Sequence, residues 1–358
     1  MRLTAQPPSL AGADQAPWRR VIGTKLRVPA HAGAQVPREK LIERLEAVRD
    51  VRLVVLRAPA GYGKTTLAAQ WREVLLAANA DIRVVWLNLD AEDNEPSRFC
   101  TYLIEALSRA GVLSSERLLS VLEGRAEQVG EYVLADLVNR ISVHEGNVWL
   151  VCEDWHLIHE QRGHDILAFL LAHGPANLHL LVTSRKRLPL ALSRLRVGGQ
   201  MKEFGARDLR FDSAESQRFV RDVNALPLSA ETVESLWRTT DGWIAGLQLA
   251  SLSMRSSENP EQVLAGLVGA GAQRPIGEYL AENVVDSLSP EILAFLLRTS
   301  ILERLCAPLC TAVSGCADSQ RILETLERQD LFIAALDGER RWFRYHHLFG
   351  SYLRRRLD

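Results

Sequence analysis

One segment near the start of the chain limits the possible folds more than any other. Residues 51–56 are mostly apolar and predict a strand, a loop of small residues follows, and residues 67–71 predict a helix. Gly61 and Gly63 allow the loop backbone to curl, so that successive amide groups point inward at an anion. A strand, a loop and a helix in this order are typical of a phosphate-binding loop.

Two side chains of this loop have the chemistry to bind a nucleoside triphosphate. Lys64 can reach the outer phosphates as a point charge, and the Thr65 hydroxyl can be a ligand of Mg²⁺. The full pattern has glycine where this chain has Ala58, and alanine fits only if the backbone needs no positive φ there. The alternative interpretation is a Gly-Lys-Thr turn that begins a helix by chance.

Length and composition predict a multidomain protein of the cytoplasm. A chain of 358 residues is long enough for two or three domains. The formal net charge of −1 gives no support for DNA binding through overall charge. Five cysteines without a regular spacing fit a reducing compartment. Residues 1–22 lack the apolar core of a signal peptide and predict a disordered tail, and we expect no membrane segment.

Four more apolar segments alternate with helical patterns after the loop. The predicted strands lie at residues 83–89, 147–153, 178–183 and 201–204. Helical periodicity between them covers residues 96–110 and 131–143. Strands separated by helices predict a parallel sheet covered on both faces, the α/β class of the P-loop NTPases. Ligands of such sheets bind at the carboxyl ends of the strands, where the phosphate loop lies.

After about residue 207 the pattern is helical. The predicted helices cover residues 213–223, 229–237, 243–254, 261–267, 276–297, 305–313 and 319–328. Residues 331–345 predict a β-hairpin with a type I′ turn at Asp337-Gly338, and residues 347–357 predict a last helix. Helices followed by a hairpin predict a winged helix. The expected domains are a P-loop nucleotide-binding domain over 23–206, a helical domain over 207–272 and a winged-helix domain over 273–358.

Charged residues follow two predicted strands at the edge where the phosphate loop lies. Glu153 and Asp154 end the third strand, and hydrolysis needs one carboxylate for the Mg²⁺ shell and another to orient or deprotonate water. Arg185 follows the fourth strand and could sense the third phosphate. The spacing leaves open which carboxylate faces the metal. A solvated acidic loop and an ordinary loop arginine are the alternatives.

Three cysteines near the C-terminus are a weaker candidate for a metal site. Cys306, Cys310 and Cys316 have helical spacing and no histidine near them. They are therefore predicted to be small buried hydrophobic residues.

Seven short motifs resemble the ATPase core of the MalT-like regulators. They lie at residues 24–26, 38–41, 58–66, 154–158, 183–185, 241–250 and 345–349. These regulators are large ATP-dependent transcription activators of the LuxR type, within the signal-transduction ATPases with numerous domains. The resemblance covers about residues 22–357 and implies a nucleotide-binding domain, a helical domain and a winged helix. In that family ADP keeps the core closed, whereas inducer and ATP open it and permit self-association.

The resemblance implies a binding role for individual residues, with ATP or ADP and Mg²⁺ as cofactors. The residues implied to hold phosphate or Mg²⁺ are Ala60, Gly61, Tyr62, Gly63, Lys64, Thr65, Thr66 and, for the metal, Glu153. Val36 and Arg38 would contact the adenine, and Arg185 would be the sensor. His346 would contact the ADP phosphate from the winged helix. A histidine of the core or the surface is the alternative for His346.

Two positions depart from the family pattern. The first acid after the third strand is usually Asp, and Glu153 is one methylene longer, so hydrolysis would be slow even where binding is intact. Ile244 replaces the usual Pro after Gly-Trp and would pack less rigidly on the base. We therefore expect slow ATP hydrolysis at most.

Family members continue into helical sensor repeats and a C-terminal helix-turn-helix, which this sequence does not contain. We expect an ATP/ADP switch that self-associates with ATP and receives an inducer through those other parts. DNA binding by this chain is not expected, because Asp337 and Glu339 lie at the hairpin tip and residues 354–356 supply only three charges. The alternative function is a P-loop ATPase whose hydrolysis drives a non-transcriptional process.

Overall fold

A computed structural model describes residues 21–30, 33–124, 132–255, 274–285, 288–329 and 331–357. Most of the predicted tail and the whole predicted helix at 261–267 lie outside these ranges. The expected boundary between residues 272 and 273 also falls outside them.

A five-stranded parallel sheet forms the centre of the N-terminal region. The strands are β1 (Leu53–Arg57), β2 (Arg83–Asn88), β3 (Val148–Glu153), β4 (Leu178–Ser184) and β5 (Met201–Phe204). Their order is β2-β3-β4-β1-β5, and every neighbouring pair is parallel. Nearly all residues of β1, β3 and β4 are buried, because these strands lie inside the sheet with helices on both faces. The predicted parallel sheet is confirmed.

Seven α-helices accompany the sheet within the described residues of this region. They are α1 (Glu39–Glu46), α2 (Lys64–Ala78), α3 (Pro96–Arg109), α4 (Glu116–Gly124), α5 (Leu134–Ser142), α6 (Gln161–His173) and α7 (Ser193–Val197). One apolar cluster packs α3, α5 and α6 on one face of the sheet, and a second packs α1 and α2 on the other. The second cluster continues through Trp243 to Leu348, so the sheet shares a core with the C-terminal regions.

In the described part of the chain up to residue 255, four short helices follow the sheet. They are α8 (Ala206–Leu209), α9 (Ser213–Arg218), α10 (Ala230–Thr240) and α11 (Ile244–Arg255). Polar caps set two of the helix starts: Asp212 accepts a hydrogen bond from the Glu215 amide, and Ser229 accepts one from the Thr232 amide. A single π-helical turn, Phe219–Val223, extends α9 to the end predicted for that helix.

The C-terminal region has the elements of a winged helix. They are α12 (Arg274–Asn283), α13 (Pro290–Thr299), α14 (Ala307–Ser314), α15 (Ser319–Arg328), β6 (Ile333–Ala335), β7 (Phe343–Tyr345) and α16 (His347–Leu357). The prediction of one continuous helix over 276–297 is wrong. A new helix begins at Pro290, where Ser289 caps the first turn and proline fits its first position.

The predicted turn of the hairpin is also wrong. Ala335 of β6 lies opposite Phe343 of β7, and the Leu336 amide donates to the Trp342 carbonyl, so five residues, 337–341, connect the strands. A type I′ turn needs positive φ at both central residues. In this loop only Arg340 has positive φ, at 53°. The longer loop moves the turn away from Asp337-Gly338.

The three C-terminal cysteines are separate from any candidate site. Cys310 is buried, and Cys306 and Cys316 are partly buried. Within the residues that the structure describes, no cluster of histidine, cysteine or carboxylate side chains has the composition of a metal site. The same ranges contain no helix with the length and apolarity needed to cross a membrane.

Candidate functional site

The loop after β1 has a backbone shape suited to an anion. Gly61 has a φ of 79° and Gly63 a φ of 71°, values that residues with a Cβ atom rarely adopt. Ala58 is not among the residues with positive φ, so the glycine of the full pattern is not needed there. Gly63 is the N-cap of α2, and the positive end of that 15-residue helix faces the loop.

Lys64 places a positive charge inside this loop. Its side chain is nearly buried, and Nζ donates hydrogen bonds to the carbonyls of Ala58 and Pro59, each 2.9 Å long. These bonds fix the ammonium group beneath the loop amides. The loop therefore combines a buried cation with a helix N-terminus, as phosphate binding requires.

Glu153 is the buried member of the carboxylate pair. It is 3% exposed, and neither oxygen makes a hydrogen bond of normal geometry within the described residues. Burial raises its pKa to about 7, against the opposing effects of the Thr65 hydroxyl and the Lys64 ammonium group. A buried carboxylate that makes no hydrogen bond of normal geometry is stabilised by a cation, and carboxylate and hydroxyl oxygens are ligands that Mg²⁺ prefers. The residues present fit a magnesium ion.

Asp154 is the exposed member of the carboxylate pair. Its backbone is left-handed, with a φ of 58°, and its side chain is 42% exposed. The Asp154 amide donates to the Thr183 hydroxyl at 2.9 Å, which fixes the turn after β3 against β4. Of the two carboxylates that the sequence could not distinguish, Glu153 is the buried one, and the Thr65 hydroxyl and the Lys64 ammonium group act on its pKa.

His156 is a site residue that the sequence analysis missed. Its side chain is 9% exposed, and Nδ1 lies 3.7 Å from an oxygen of Asp154. Burial lowers its pKa to about 3, and the charges of Arg185 and Lys64 lower it further, so the ring is neutral at physiological pH. Its position directly after the two carboxylates, at the carboxyl end of a buried strand, is the signal that could have identified it.

Arg185 lies near His156, on the side of the phosphate loop where Lys64 also acts on that histidine. Its charge acts on the pKa of His156 and on that of Tyr279 from α12, so it stands between the sheet edge and the winged-helix region. Tyr279 is also near the phosphate loop, because a Cβ added at Gly61 would lie 3.1 Å from its hydroxyl. The structure therefore brings Lys64, Glu153 and Arg185 together, as predicted from their places after three strands.

A cavity of about 560 Å³ extends from the phosphate loop. Its walls come from residues 33–38, the start of α2, and the helical region. The apolar side chains that line it are Val36, Leu67, Phe211, Phe219, Val223 and Ile244. A mostly apolar cavity beside a phosphate site is suited to the base and sugar of a nucleotide. Val36 and Ile244 lie in this cavity, where the resemblance places them.

Arg38 lines this cavity and also joins two separate segments of the chain. Its guanidinium group donates to Glu215 at 2.9 Å, and also to the carbonyls of Leu209 at 2.8 Å and Arg210 at 3.2 Å. The group also lies 4.9 Å from the centre of the Phe211 ring. These contacts join the segment before α1 to the helical region. Arg38 thus assembles the cavity wall, and its guanidinium hydrogen bonds go to protein groups.

Gln70 of α2 holds the same segment from the other side. Its Nε2 donates to the Val36 carbonyl at 3.0 Å, and its Oε1 accepts from the Arg38 amide at 3.1 Å. Sequence reasoning missed this residue. Its role depends on a contact between residues more than thirty positions apart, for which no local pattern exists.

The helical region bonds directly to the phosphate loop. Trp243, which is fully buried, donates from Nε1 to the Ala60 carbonyl at 3.0 Å, and the Ala245 amide donates to the Gly61 carbonyl at 3.0 Å. The approach is so close that a Cβ at Gly61 would lie 2.4 Å from the Ala245 Cβ. Gly61 is therefore required both for its φ and for this contact.

His346 lies behind Trp243 and does not line the cavity. Its Nε2 is 3.1 Å from the Thr240 carbonyl, which only accepts, so this nitrogen donates its proton. The ring contacts Trp243 and Phe332, with centroids 5.9 Å and 5.7 Å apart. With Tyr62 it lines a second cleft, of about 290 Å³. The predicted contact with the ADP phosphate stays a prediction, and the observed link to the loop runs through Trp243.

Comparison with known proteins finds relatives that are similar over most of this chain. Residues 281–358 match the family described as the MalT winged helix domain. The serine/threonine-protein kinase PknK of Mycobacterium tuberculosis is 38% identical over 97% of this chain and 31% of its own length. The HTH-type transcriptional regulator MalT of Yersinia enterocolitica is 36% identical over 94% of this chain and 37% of its own length. The chain thus spans about a third of each relative.

A solved structure supports the fold of the whole chain. The Walker-type ATPase PABY2304 of Pyrococcus abyssi superposes with a TM-score of 0.60, covering 91% of this chain and 99% of that one, at 15% sequence identity. At this identity the likeness concerns the fold alone. The resemblance to a MalT-like ATPase core with its winged helix, predicted from seven motifs, is confirmed.

Proposed function

We propose that this chain is an adenine-nucleotide switch that regulates the other domains with which it works. It joins a MalT-like ATPase core to a MalT-like winged helix. One observation carries the proposal. The phosphate loop, with Lys64 inside it, is hydrogen bonded through its own carbonyls to Trp243 and Ala245 of the helical region. A change of nucleotide at the loop therefore acts on the docking of that region.

In this proposal the loop and its surroundings bind ATP or ADP. The amides of residues 60–66 and the Lys64 ammonium group bind the phosphates. Thr65 and Glu153 hold Mg²⁺, which when bound neutralises phosphate charge and orients the outer phosphates. The base and sugar occupy the cavity between Val36 and Ile244, whose walls separate if the helical region moves.

Slow hydrolysis is the expected chemistry. Arg185 stabilises charge on the third phosphate, and neutral His156 accepts a hydrogen bond from water at the sheet edge. Asp154, half exposed, lies 3.7 Å from His156, which is too far for a hydrogen bond. Glu153 is one methylene longer than an Asp, so it would hold a metal ion less suitably for turnover than for binding.

The regulatory part of the proposal is supported by what the two relatives have in common. One is named as a kinase and the other as a helix-turn-helix regulator, yet both contain the region that this chain covers. A region shared by proteins with different outputs supplies a step common to both. We propose that this step is ATP-dependent opening and self-association in the cytoplasm, with the inducer acting through other domains and with no DNA contact by this chain.

A multi-turnover ATPase assay with Mg²⁺, combined with calorimetric titration of ATP and ADP, tests the proposal. The switch predicts one tightly bound nucleotide per chain and far less than one turnover per second, which is slow for an enzyme. A rate typical of enzymes would instead favour an ATPase that drives a non-transcriptional process. Absence of heat with both nucleotides and Mg²⁺ would remove the proposal altogether.

A further inference from the structure

Two amide side chains of the helical region lie in the wall of the nucleotide cavity. Asn224 follows the π-helical turn, and Gln248 lies on α11. Both belong to the region that is hydrogen bonded to the phosphate loop through Trp243 and Ala245. In a mostly apolar cavity, a few polar groups of fixed direction determine which ligand binds and how it is oriented. The directions of these two amides therefore matter.

One hydrogen bond fixes the orientation of the Asn224 amide. The residue is 3% exposed, and its Nδ2 donates to the Phe219 carbonyl at 3.2 Å. Because a carbonyl only accepts, the amide nitrogen and oxygen cannot exchange places. Oδ1 makes no hydrogen bond within the residues that the structure describes. Since Asn224 lines the cavity, this oxygen is an acceptor available to a ligand.

Asn224 in turn orients the Gln248 amide. The second proton on Asn224 Nδ2 goes to Gln248 Oε1, at 3.2 Å. Nε2 is therefore the other branch of the Gln248 amide, and it has two protons to donate. No acceptor among the described residues takes these protons. The pair thus offers the cavity one acceptor, Asn224 Oδ1, and one donor, Gln248 Nε2.

The two amides lie beyond the phosphate end of the cavity. Ile244, at the start of α11, is close to the phosphate loop, because a Cβ added at Gly63 would lie 3.0 Å from its Cδ1. Gln248 lies one helical turn later on the same face of α11, about 6 Å along the helix. The π-helical turn adds apolar surface from Phe219 and Val223. A base in this place would have its faces against apolar side chains and its edge towards the amides.

We propose that these amides select adenine by its edge: the 6-amino group donates to Asn224 Oδ1, and Gln248 Nε2 donates to an adjacent ring nitrogen. The inference rests on the proposed function and assigns the residues that choose the base. Adenine presents an amino donor beside a ring-nitrogen acceptor, the pattern that asparagine and glutamine side chains match. Guanine has an oxygen at position 6, which would face Asn224 Oδ1 as a second acceptor and leave both without a donor.

The choice of base is linked to the docking of the helical region. Both amides belong to that region, so their hydrogen bonds to adenine hold it against the bound nucleotide. A guanine nucleotide would place its phosphates on the same loop and Lys64, and would lack these two bonds. The switch therefore responds to adenine nucleotides and not to nucleotides in general.

Calorimetric titration of the wild type with nucleotide analogues and Mg²⁺ tests this recognition without any substitution. Purine riboside 5′-diphosphate lacks the 6-amino group and should bind about tenfold more weakly than ADP, and GDP about 100-fold more weakly. The analogues 1-deaza-ADP and 7-deaza-ADP each lack one ring nitrogen. One of them should bind about tenfold more weakly than ADP, which identifies the nitrogen that Gln248 contacts. The proposal is wrong if the purine analogue binds like ADP or if neither deaza analogue loses affinity.

Two substitutions of Gln248 assign the donor to this residue. Gln248→Leu keeps the approximate size, and should weaken ADP about tenfold and abolish the difference between ADP and the disfavoured deaza analogue. Gln248→Glu offers only acceptors, which suit the N1 and 2-amino donors of guanine, so the preference for ADP over GDP should fall further than in Gln248→Leu. Gln161→Leu, at an exposed amide on α6, should behave as the wild type. The analogue series decides the proposal even where a variant fails to fold.

The results that contradict base selection differ from those that contradict the switch. Absence of heat with every nucleotide would remove the switch itself. Equal affinities for ADP and GDP, both lost in Lys64→Ala, would leave phosphate binding intact and overturn the selection of adenine alone. Unchanged selectivity in both Gln248 variants would show that other groups choose the base.

Discussion

The two ends of the nucleotide cavity are built in different ways. The phosphate end comes from consecutive residues of one loop, which contains Lys64, and from the end of β3, where Glu153 lies. The base end comes from separate stretches of chain joined by the buried pair of Arg38 and Glu215. The phosphate end can therefore persist when the helical region moves, whereas the base end exists only while that region is docked. The affinity for a nucleotide that contacts both ends therefore depends on whether the helical region is docked.

The largest effect is expected at the base end. Arg38→Met leaves Glu215, which is 5% exposed, as a buried charge without its cation, and should lower the free energy of unfolding by about 3–5 kcal/mol. Urea denaturation measures this change. In calorimetry, the folded variant should bind ADP more weakly than the wild type does. Its affinity for pyrophosphate should be unchanged, because pyrophosphate needs the phosphate end alone.

A neighbouring ion pair supplies the control. Lys40, also at the start of α1, pairs with Asp212 at 2.8 Å, but its side chain is 78% exposed. Lys40→Met should change neither stability nor binding measurably, since exposed pairs contribute little. If Arg38→Met weakens pyrophosphate as much as ADP, the two ends are not independent and the comparison fails.

The second effect concerns the phosphate end. Lys64→Ala removes the buried ammonium group and should weaken ADP and pyrophosphate alike, by about 100-fold, as expected for a lost charge-assisted hydrogen bond. Titration calorimetry measures both ligands, with Lys40→Met again as the control. Unchanged binding of either ligand would mean that the phosphates lie elsewhere.

The difference between the two ends also explains which residues of the site could be predicted from the sequence. The strand, the glycines and Lys64 are adjacent in the chain, and a local pattern with a known geometry identifies them. The base end depends on contacts such as Gln70 with Val36 and Arg38 with Glu215, the latter 177 positions apart. No periodicity encodes such pairs. Only the resemblance to a family placed Val36 and Ile244 near a nucleotide.

The hairpin shows a different limit. The Asp337-Gly338 pair is a strong local signal for a type I′ turn, yet the strands pair in the register set by burial of Phe343 and Tyr345. Packing of those rings against the core determines which residues face each other, and the loop takes the length that remains. The free energy gained by burying these rings outweighs the local preference for a type I′ turn.

The third prediction uses the pH dependence of Glu153. Its pKa is raised from 4.5 to about 7 in the folded chain, so the folded state binds a proton that the unfolded state has lost over this interval. Stability without nucleotide should therefore fall as the pH rises from about 5 to 7.5, by about 2 kcal/mol. Urea denaturation across this range measures the change.

Glu153→Gln is the matched variant for this prediction, because it keeps the shape and loses the titration. Its stability should vary less with pH than that of the wild type. Binding of ADP with Mg²⁺ should release a proton near pH 6.5 in the wild type and not in the variant, as calorimetry in buffers of different ionisation enthalpy would reveal. Identical proton release in both would place the titrating group elsewhere and remove Glu153 from the phosphate end.

The smallest effect tests whether the winged helix acts on the loop directly or through Trp243. His346→Ala removes the hydrogen bond to the Thr240 carbonyl and an edge contact with Trp243, so ADP should leave up to about fivefold faster in stopped-flow measurements. His346→Gln, which can still donate, should retain most of the slow release, and His173→Ala, at an exposed site on α6, should have no effect. Trp243→Phe should accelerate release to a similar extent and add little to His346→Ala, because both act on one path. Additive effects would instead indicate the direct phosphate contact that the family resemblance implies for His346, and the winged helix would then belong to the phosphate end.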